Sequence, residues 1–145
     1  MNNTPQVKAP WLKSKDPEVP AALTYSELSM CSRVEEMVRR YPDYIAYEFM
    51  GKCTTYAEMW KKINACAKSL KAIGIREGDK VTICMPNAPQ TLCMFYAVNM
   101  VGAIANMVHP LSAESEIAFY LRDSGSVAAI TLDPFYNKFE SVRKA

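Results

Sequence analysis

The sequence predicts an α/β fold in which consecutive βα units form a parallel sheet, preceded by a helix and a β-hairpin. Three short apolar runs begin at residues 81, 104 and 127, at equal intervals along the chain. The runs are bounded by Lys80 and Pro86, by Gly102 and Pro110, and by Gly125 and Pro134, and each interval contains one helical segment. Strands that alternate with helices at this spacing form parallel sheets with right-handed crossovers.

The βα units occupy residues 79–145. Strands are predicted at 81–85, 104–108 and 127–131, and helices at 89–101 and 113–123. The first helix takes Asn87 or Ala88 as its cap and has Pro at an early position. The second is predicted to be capped by Ser112, with Glu114 and Glu116 in its first turn, where the helix dipole favours carboxylates. Asp133 and Pro134 then predict the start of a further helix.

Residues 24–73 precede these units and are predicted to form a helix, a hairpin and a second helix. Thr24 and Glu27 fit a capping box, and so do Thr55 and Glu58, so each pair is predicted to open a helix. Pro42 ends the first helix. The hairpin between them is predicted as a strand at 45–49, a turn at 51–52 and a strand at 53–55.

The first 23 residues contain four of the nine prolines and no periodic apolar pattern. Residues 1–23 are therefore expected to form an extended arm or linker. Trp11 and Leu12 could anchor this arm to the body of the protein, and a loose terminus is the equally weighted alternative.

Composition excludes several classes of protein. Lys and Arg total 17 against 15 for Asp and Glu, so no basic field exists to hold nucleic acid. No stretch reaches the ~18 uninterrupted apolar residues of a transmembrane segment, and the first residues contain no apolar signal core. The five cysteines are an odd number with no CxxC motif. We therefore expect reduced thiols and a cytoplasmic protein.

The residues that could carry chemistry form no catalytic constellation. The sequence contains no GxxxxGK[ST], GxGxxG or GxSxG motif. His109 is its one histidine, which argues against a histidine-based metal site or a Ser-His-Asp triad. His109 follows an apolar strand, where ligands bind in parallel sheets, although a loop or core histidine with a satisfied ring nitrogen is favoured. We assign no catalytic, cofactor-binding or metal-ligating residue to the chain.

Other titratable residues have structural interpretations. The carboxylates of Glu35, Glu36, Glu114 and Glu116 are expected on helix surfaces, and Cys84 and Cys93 are expected to pack as small apolar residues. The helix at 56–73 carries four lysines that are expected to form a solvated face, with phosphate binding as the weaker alternative. These lysines are Lys61, Lys62, Lys68 and Lys71.

The chain is expected to be the front piece of a longer protein. The helix at 89–101 is apolar on nearly every side, so other elements must cover it all round. A chain of this length offers few elements that could do so. The last helical pattern stops at residue 145 with no cap and no following strand. An incomplete sheet leaves unpaired edges, so a homodimer through unpaired surfaces is a possible assembly.

Several segments together resemble the opening of the adenylate-forming superfamily, most closely its acyl-CoA synthetases. They lie in the family's order and spacing between residues 24 and 145, and their joint order is more specific than any one block. The segments are TTYAEM at 54–59, GDKVTICMPN at 78–87, YAVNMVGAI at 96–104, PL at 110–111 and LRDSGS at 121–126. His109 departs from the pattern, because many acyl-CoA synthetases have Asn before this Pro.

The resemblance implies that residues 24–145 are an incomplete part of a larger N-terminal adenylate-forming domain. The segment before residue 73 would pack with one sheet and the segment after residue 79 with another, joined at 74–78. The parent would convert a carboxylate and ATP to acyl-AMP, with Mg²⁺, and then form a thioester with coenzyme A. The family's [ST]SG[ST]TGxPKG phosphate loop does not occur in the sequence.

The chain alone is therefore expected to be an inactive scaffold that packs against the remainder of the parent polypeptide. Medium- or long-chain fatty acids are the favoured substrates of the parent. A peptide-synthetase adenylation domain or an acyl-AMP ligase is the nearer alternative. A stand-alone, non-catalytic interaction module is the alternative of another class.

Overall fold

The computed structural model describes residues 10–20 and 22–144 and confirms the α/β fold class. A single-turn 3-10 helix at Asp133–Phe135 leads into the last helix. In chain order the elements are α1 (Met30–Arg40), β1 (Ile45–Phe49), β2 (Lys52–Thr55), α2 (Tyr56–Ala72), β3 (Lys80–Cys84), α3 (Pro89–Met100), β4 (Ile104–Met107), α4 (Glu114–Ser124), β5 (Ala128–Thr131) and α5 (Tyr136–Lys144).

The predicted parallel sheet forms with the strand order β4-β3-β5. β3 is the central strand, and its alternating side chains serve both faces. Val81 and Ile83 belong to the main core with α2 and α3, whereas Cys84 packs with Ile117 of α4 on the other face. All residues of β3 after Lys80 are buried. The sheet therefore lies between α3 on one side and α4 on the other.

The β-hairpin of β1 and β2 is antiparallel and separate from the three-stranded sheet. Its turn is made by Met50 and Gly51, both with positive φ (49° and 76°). Glycine adopts such angles without steric cost, and Met50 is the one non-glycine residue with positive φ in the described part of the chain. The second strand begins at Lys52, one residue before the predicted start.

The first helix starts later than predicted. Ser29, not Thr24, is its cap, and the Ser29 Oγ accepts a hydrogen bond from the Ser32 backbone N–H at 3.1 Å. Upstream, the Ser26 Oγ accepts from the Leu28 N–H at 3.2 Å and closes a local turn instead. Serine offers such turns in competition with helix starts, which explains why the first capping-box pattern opens no helix.

The second capping box is confirmed. Thr55 Oγ1 accepts from the Glu58 N–H at 3.3 Å, and the Glu58 carboxylate accepts from the Thr55 N–H at 2.9 Å. At the other end of α2, Gly74 takes the predicted left-handed position with φ of 96°. The Ile75 N–H donates to the Leu70 carbonyl at 3.0 Å, and the Ile75 side chain is buried.

The cap of α4 is Ala113, one residue beyond the predicted Ser112. The Glu116 carboxylate accepts from the Ala113 backbone N–H at 2.9 Å, so the glutamate in the first turn satisfies the helix end without a capping hydroxyl. Ser112 belongs to the preceding turn, where its backbone N–H donates to the His109 carbonyl at 3.1 Å.

The apolar helix α3 is covered within the chain, contrary to the expectation from its sequence. None of the residues 91–101 is exposed. α2 packs along α3, α1 contacts it at Cys31, where the thiol donates to the Tyr96 carbonyl, and the sheet closes the remaining side. The partner surface that we expected α3 to need is therefore supplied by α1 and α2.

One core spans both sides of the predicted joint at 74–78. Met59 and Ile63 of α2 share a buried cluster with Ile83 of β3 and Val98 of α3. The hairpin before residue 73 and the parallel sheet after residue 79 are separate sheets, but the helices of the two segments share this core. α2 lies on the helix layer that covers the parallel sheet.

The N-terminal arm lies partly outside the described residues, since residues 1–9 and 21 are not described. Within it, Pro10–Ser14 forms a short 3-10 helix with no buried residue. Trp11 is 68% exposed and Leu12 is 41% exposed, so neither side chain anchors the arm.

Candidate functional site

The carboxyl ends of β3 and β4 meet at an open cleft of about 490 Å³. The connection after β3 passes through α3 on one face of the sheet, and the connection after β4 passes through α4 on the other. Such a reversal is the position where open α/β sheets bind ligands. The residues that line this cleft are Met85, Pro86, Asn87, Met107, Val108, His109, Pro110, Leu111 and Phe135.

His109 lies in this cleft, and its side chain is exposed. Its Nδ1 accepts a hydrogen bond from the Leu111 backbone N–H at 3.2 Å. A neutral ring that accepts at Nδ1 carries its proton on Nε2 and can donate from that atom. His109 is thus a loop histidine with one hydrogen-bonded ring nitrogen, and it also lies at the carboxyl end of the strands, where ligands bind in such sheets. The two interpretations of this residue are compatible.

The cleft presents mainly apolar side chains. His109 is its one titratable side chain. Leu111 is 73% exposed and Met107 is 51% exposed, so the cleft presents apolar surface to solvent. Nucleophilic catalysis needs a nucleophile held against a base, and the residues that line this cleft provide no such pair.

A partly buried polar network connects the cleft's two strands. Asn106 Nδ2 on β4 donates to Thr82 Oγ1 on β3 at 3.0 Å and to Ser124 Oγ of α4 at 3.1 Å. Ser126 Oγ lies 2.7 Å from Thr82 Oγ1 and 2.8 Å from Ser124 Oγ. Since Thr82 is fully buried, these bonds satisfy groups that would otherwise be costly in the core. They connect β3, β4 and the end of α4.

This network was missed from the sequence. The available signal was one polar residue within each of two apolar strands, Thr82 in β3 and Asn106 in β4. The two are register partners in the parallel pair. A serine on each side of Gly125 completed the pattern. Their proximity depends on the strand register, which a single sequence does not state.

Four of the five cysteines are at least partly buried. Burial raises the pKa of the Cys31, Cys66, Cys84 and Cys93 thiols, which disfavours their reactive thiolate forms. Cys84 and Cys93 pack in the two apolar clusters, as predicted. Cys53 is exposed on β2.

The acidic residues that the sequence placed on helix surfaces are found there. The Glu35 and Glu36 carboxylates pair with Arg39 and Arg33 at 3.7 Å and 2.7 Å. Glu114 accepts a hydrogen bond from the Ser141 hydroxyl at 3.0 Å. Within residues 10–20 and 22–144, no three His, Cys, Asp or Glu side chains cluster in a way that could hold a metal ion.

The four lysines of α2 are exposed, as expected for a solvated face. Lys62 differs from the others because its Nζ donates to the Tyr47 hydroxyl at 3.3 Å and lies 5.8 Å from the centre of that ring. None of the helices in the described part of the chain is long and apolar enough to span a membrane.

Comparison with known proteins identifies the family. The family model described as "AMP-binding enzyme" matches residues 34–145. The chain is 32% identical over 133 residues to a long-chain-fatty-acid–CoA ligase of Bacillus subtilis (strain 168), covering 92% of this chain and 24% of that protein. The chain therefore spans about a quarter of the length of this relative.

Solved structures agree with the sequence match. The N-terminal domain of FACL13 from Mycobacterium tuberculosis superposes with a TM-score of 0.75 at 32% identity, covering 79% of this chain and 29% of that one. The N-terminal subdomain of Klebsiella oxytoca NpsA superposes with a TM-score of 0.69 at 27% identity, covering 72% and 27%. The parallel sheet, its helices and the matched residues together place the chain in the AMP-binding enzyme family.

Proposed function

We propose that this chain is the N-terminal part of an ATP-dependent acyl-CoA synthetase that acts on fatty acids. The observation that carries the proposal is the 32% identity over 133 residues to a long-chain-fatty-acid–CoA ligase. The superposition on the N-terminal domain of FACL13 supports the same position within the parent protein.

In the proposed reaction, the acid's carboxylate attacks the α-phosphorus of ATP and releases pyrophosphate. The thiol of coenzyme A then attacks the acyl carbonyl and expels AMP. Mg²⁺ would stabilise phosphate charge in the first step. The described residues do not fit a Mg²⁺ site, because no cluster of carboxylates converges near the cleft. We place the nucleotide and metal sites in the remainder of the parent polypeptide.

Within the parent, this chain acts as a scaffold. β3 is buried on both faces and holds the neighbouring strands in register. The network around Thr82 and Asn106 fixes the strands beneath the loops at 85–87 and 108–111. Because these loops line the cleft at the carboxyl edge of the sheet, the chain would supply a shaped apolar surface to the parent protein.

The test uses the protein that carries this chain, with ATP, Mg²⁺, coenzyme A and saturated acids from six to eighteen carbons. Mass spectrometry should detect acyl-CoA and AMP in equal amounts, with the highest rate for a medium- or long-chain acid. A reaction without coenzyme A is the control and should yield only enzyme-bound acyl-AMP. Absence of any acyl-CoA from a protein that binds ATP would reject the proposal.

The same assay separates the alternatives. The chain is also similar to NpsA, which has been artificially fused to ThdA as an adenylation-PCP di-domain of a peptide synthetase, and this keeps an adenylation domain as the second candidate. Pyrophosphate exchange that depends on an amino or aryl acid, without thioester formation on coenzyme A, would favour that candidate. Release of free acyl-AMP would favour an acyl-AMP ligase. No adenylate formation at all would favour a non-catalytic interaction module.

We also propose a reducing, cytoplasmic location for the protein. The five cysteines are unpaired in the structure, and four of them are at least partly buried, where they serve packing. Thiol titration of the unfolded 145-residue chain, isolated without reductant, should detect every cysteine. A lower count would show that disulfides form during isolation and would contradict this location.

A further inference from the structure

The last helix, α5, contacts the turn that carries His109 at the candidate cleft. The Lys138 Nζ donates to the Ser112 carbonyl at 2.9 Å, and Lys138 is half-buried. Ser112 ends the turn that begins at His109, because its backbone N–H donates to the His109 carbonyl at 3.1 Å. A side chain near the end of the chain therefore bonds directly to a turn whose first three residues line the cleft.

Other contacts of this turn involve His109 itself. Pro110, at the second position of the turn, is buried, and the fixed φ of proline favours that position. The Leu111 N–H donates to His109 Nδ1 at 3.2 Å, so the ring is bonded to the backbone of its own turn. On β3, Cys84 Sγ donates to the His109 carbonyl at 3.7 Å. The orientation of the imidazole therefore depends on the backbone geometry of the turn.

α5 has two further attachments that do not involve the turn. Ser141 Oγ donates to the Glu114 carboxylate in the first turn of α4 at 3.0 Å. Phe139 packs against the apolar cluster that contains Val108. Loss of the Lys138 bond alone would therefore leave α5 attached to the sheet and to α4, and its effect can be separated from loss of the helix.

The Lys138 ammonium also acts on the surroundings of the turn. Burial raises the pKa of the Cys84 thiol, and the positive charge of Lys138 lowers it. The Lys138 Nζ lies 5.9 Å from the centre of the Phe135 ring, which lines the cleft. Hydrogen bonds from charged donors are stronger than those between neutral groups. The bond from Lys138 is therefore suited to restrain the turn.

We propose that Lys138 is a positioning residue for the cleft. Its bond to the Ser112 carbonyl holds the turn in the geometry in which His109 Nδ1 accepts from the backbone. Nε2 is then the ring atom that carries the proton and can donate within the cleft. The inference goes beyond the proposed activity, because it concerns how α5 sets the one titratable side chain of this cleft. Its test does not measure acyl-CoA formation, so the two proposals can fail separately.

The experiment uses heteronuclear NMR of the ring nitrogens of His109, the sole histidine of the sequence, together with hydrogen exchange of the Leu111 and Ser112 amides. Wild type should show the neutral ring with its proton on Nε2. In Lys138→Met the share of the Nδ1–H tautomer should rise, and both amides should exchange about tenfold faster, because a bond from a charged donor is lost. Lys138→Arg keeps a charged donor and should retain the wild-type ring signals.

Ser141→Ala is the matched control on the same helix. It removes the bond to Glu114 and leaves the turn untouched, so the ring signals and the two exchange rates should stay at their wild-type values. Equal changes in Ser141→Ala and Lys138→Met would overturn the proposal, because any loosening of α5 would then have the same effect. Wild-type signals and exchange rates in Lys138→Met would overturn it as well.

Wild type itself decides the proposal if Lys138→Met does not fold. A scalar coupling across the hydrogen bond should join the Lys138 ammonium nitrogen to the Ser112 carbonyl carbon, and its detection would support the proposal. Absence of this coupling, with a Lys138 ammonium signal that exchanges with water as fast as those of the exposed lysines of α2, would overturn it.

Discussion

Thr82 shows how one buried hydroxyl organises the edge of the sheet that carries the cleft. Its Oγ1 accepts from the Asn106 amide and lies within hydrogen-bond distance of the Ser126 hydroxyl. Valine has nearly the same shape but no hydroxyl. The substitution would leave the partly buried Asn106 amide with one partner fewer, and unsatisfied groups inside a protein are costly.

We therefore expect Thr82→Val to lower the free energy of unfolding by about 1–3 kcal/mol. Chemical denaturation of the variant and of wild type measures the difference. Thr24→Val is the matched control, because Thr24 is exposed, and a change within about 0.5 kcal/mol is expected there. Equal effects of the two substitutions would mean that the network contributes nothing to stability.

Gly102 explains the Gly-Ala pair that ends α3 and leads into β4. Its φ is 79°, and an added Cβ would lie 3.0 Å from Glu77 Cγ and 3.2 Å from Glu77 Cβ. The Gly102 carbonyl also accepts from the Gly78 N–H at 2.9 Å, which draws the two loops together. Glycine is required here by both backbone angle and space.

Gly102→Ala should destabilise the protein more than Gly125→Ala. Gly125 has a similar φ of 63°, but a Cβ there meets no atom within 4 Å. Gly125→Ala is the control, and it should lower the free energy of unfolding by about 1–2 kcal/mol because of the left-handed backbone alone. Thermal unfolding of both variants gives the comparison, and a smaller effect at Gly102 would show that Glu77 moves aside without cost.

At the level of elements, two nearly identical tetrapeptides behave differently. Thr55 to Glu58 forms both hydrogen bonds of a capping box at the start of α2. Thr24 to Glu27 has the same pattern, yet α1 begins five residues later than that pattern predicts, under the cap of Ser29. The difference lies in the turn before α1, where the Ser26 Oγ accepts from the Leu28 N–H and the helix begins after the cap of Ser29.

Thr55→Ala should therefore destabilise the protein by about 0.5–2 kcal/mol, the usual cost of losing a cap. Thr24→Ala removes the same group from the same sequence pattern and should change stability by less than about 0.5 kcal/mol. Circular dichroism during urea unfolding measures both. A loss for Thr24→Ala as large as for Thr55→Ala would place the start of α1 at the predicted residue.

The sequence predicted the order and type of the helices and strands because their apolar periods are strong. The three parallel strands, the hairpin and α2 lie within one or two residues of the predicted ranges. The predicted helix starts were less accurate at Ser29 and Ala113. The hydrogen-bond partners of the backbone there depend on the neighbouring turns. The alternation of strands and helices predicted that His109 lies at the ligand-binding end of a strand. The Thr82 network could not be predicted in the same way, because it depends on the strand register.

At the scale of the whole molecule, α3 is covered within the chain, so the exposed apolar surfaces lie elsewhere. β4 pairs only with β3 in the described structure, and Ile104 and Met107 on this edge are each about half exposed. In the hairpin, Ile45 is 60% exposed and Met50 is 91% exposed. Open edges with apolar side chains promote pairing with other chains.

We propose that the 145-residue chain associates with a second copy through the β4 edge or the hairpin, and not through α3. Light scattering should give a mass above that of the monomer that rises with concentration. Ile104→Lys places a charge on the edge and should lower that mass, whereas Lys68→Glu on the exposed face of α2 is the control. A sharp monomer mass for wild type at every concentration would contradict association.

We propose that the nucleotide site of the parent protein lies outside these 145 residues. Its sequence contains no phosphate loop, and its cleft holds one histidine and no cluster of charged groups. The direct measurement is calorimetric titration of ATP and Mg²⁺ into the 145-residue chain, checked for helical content, and into the protein that carries it. Saturable binding is predicted for the complete protein and no binding for the chain, and micromolar, saturable binding by the chain would contradict the account.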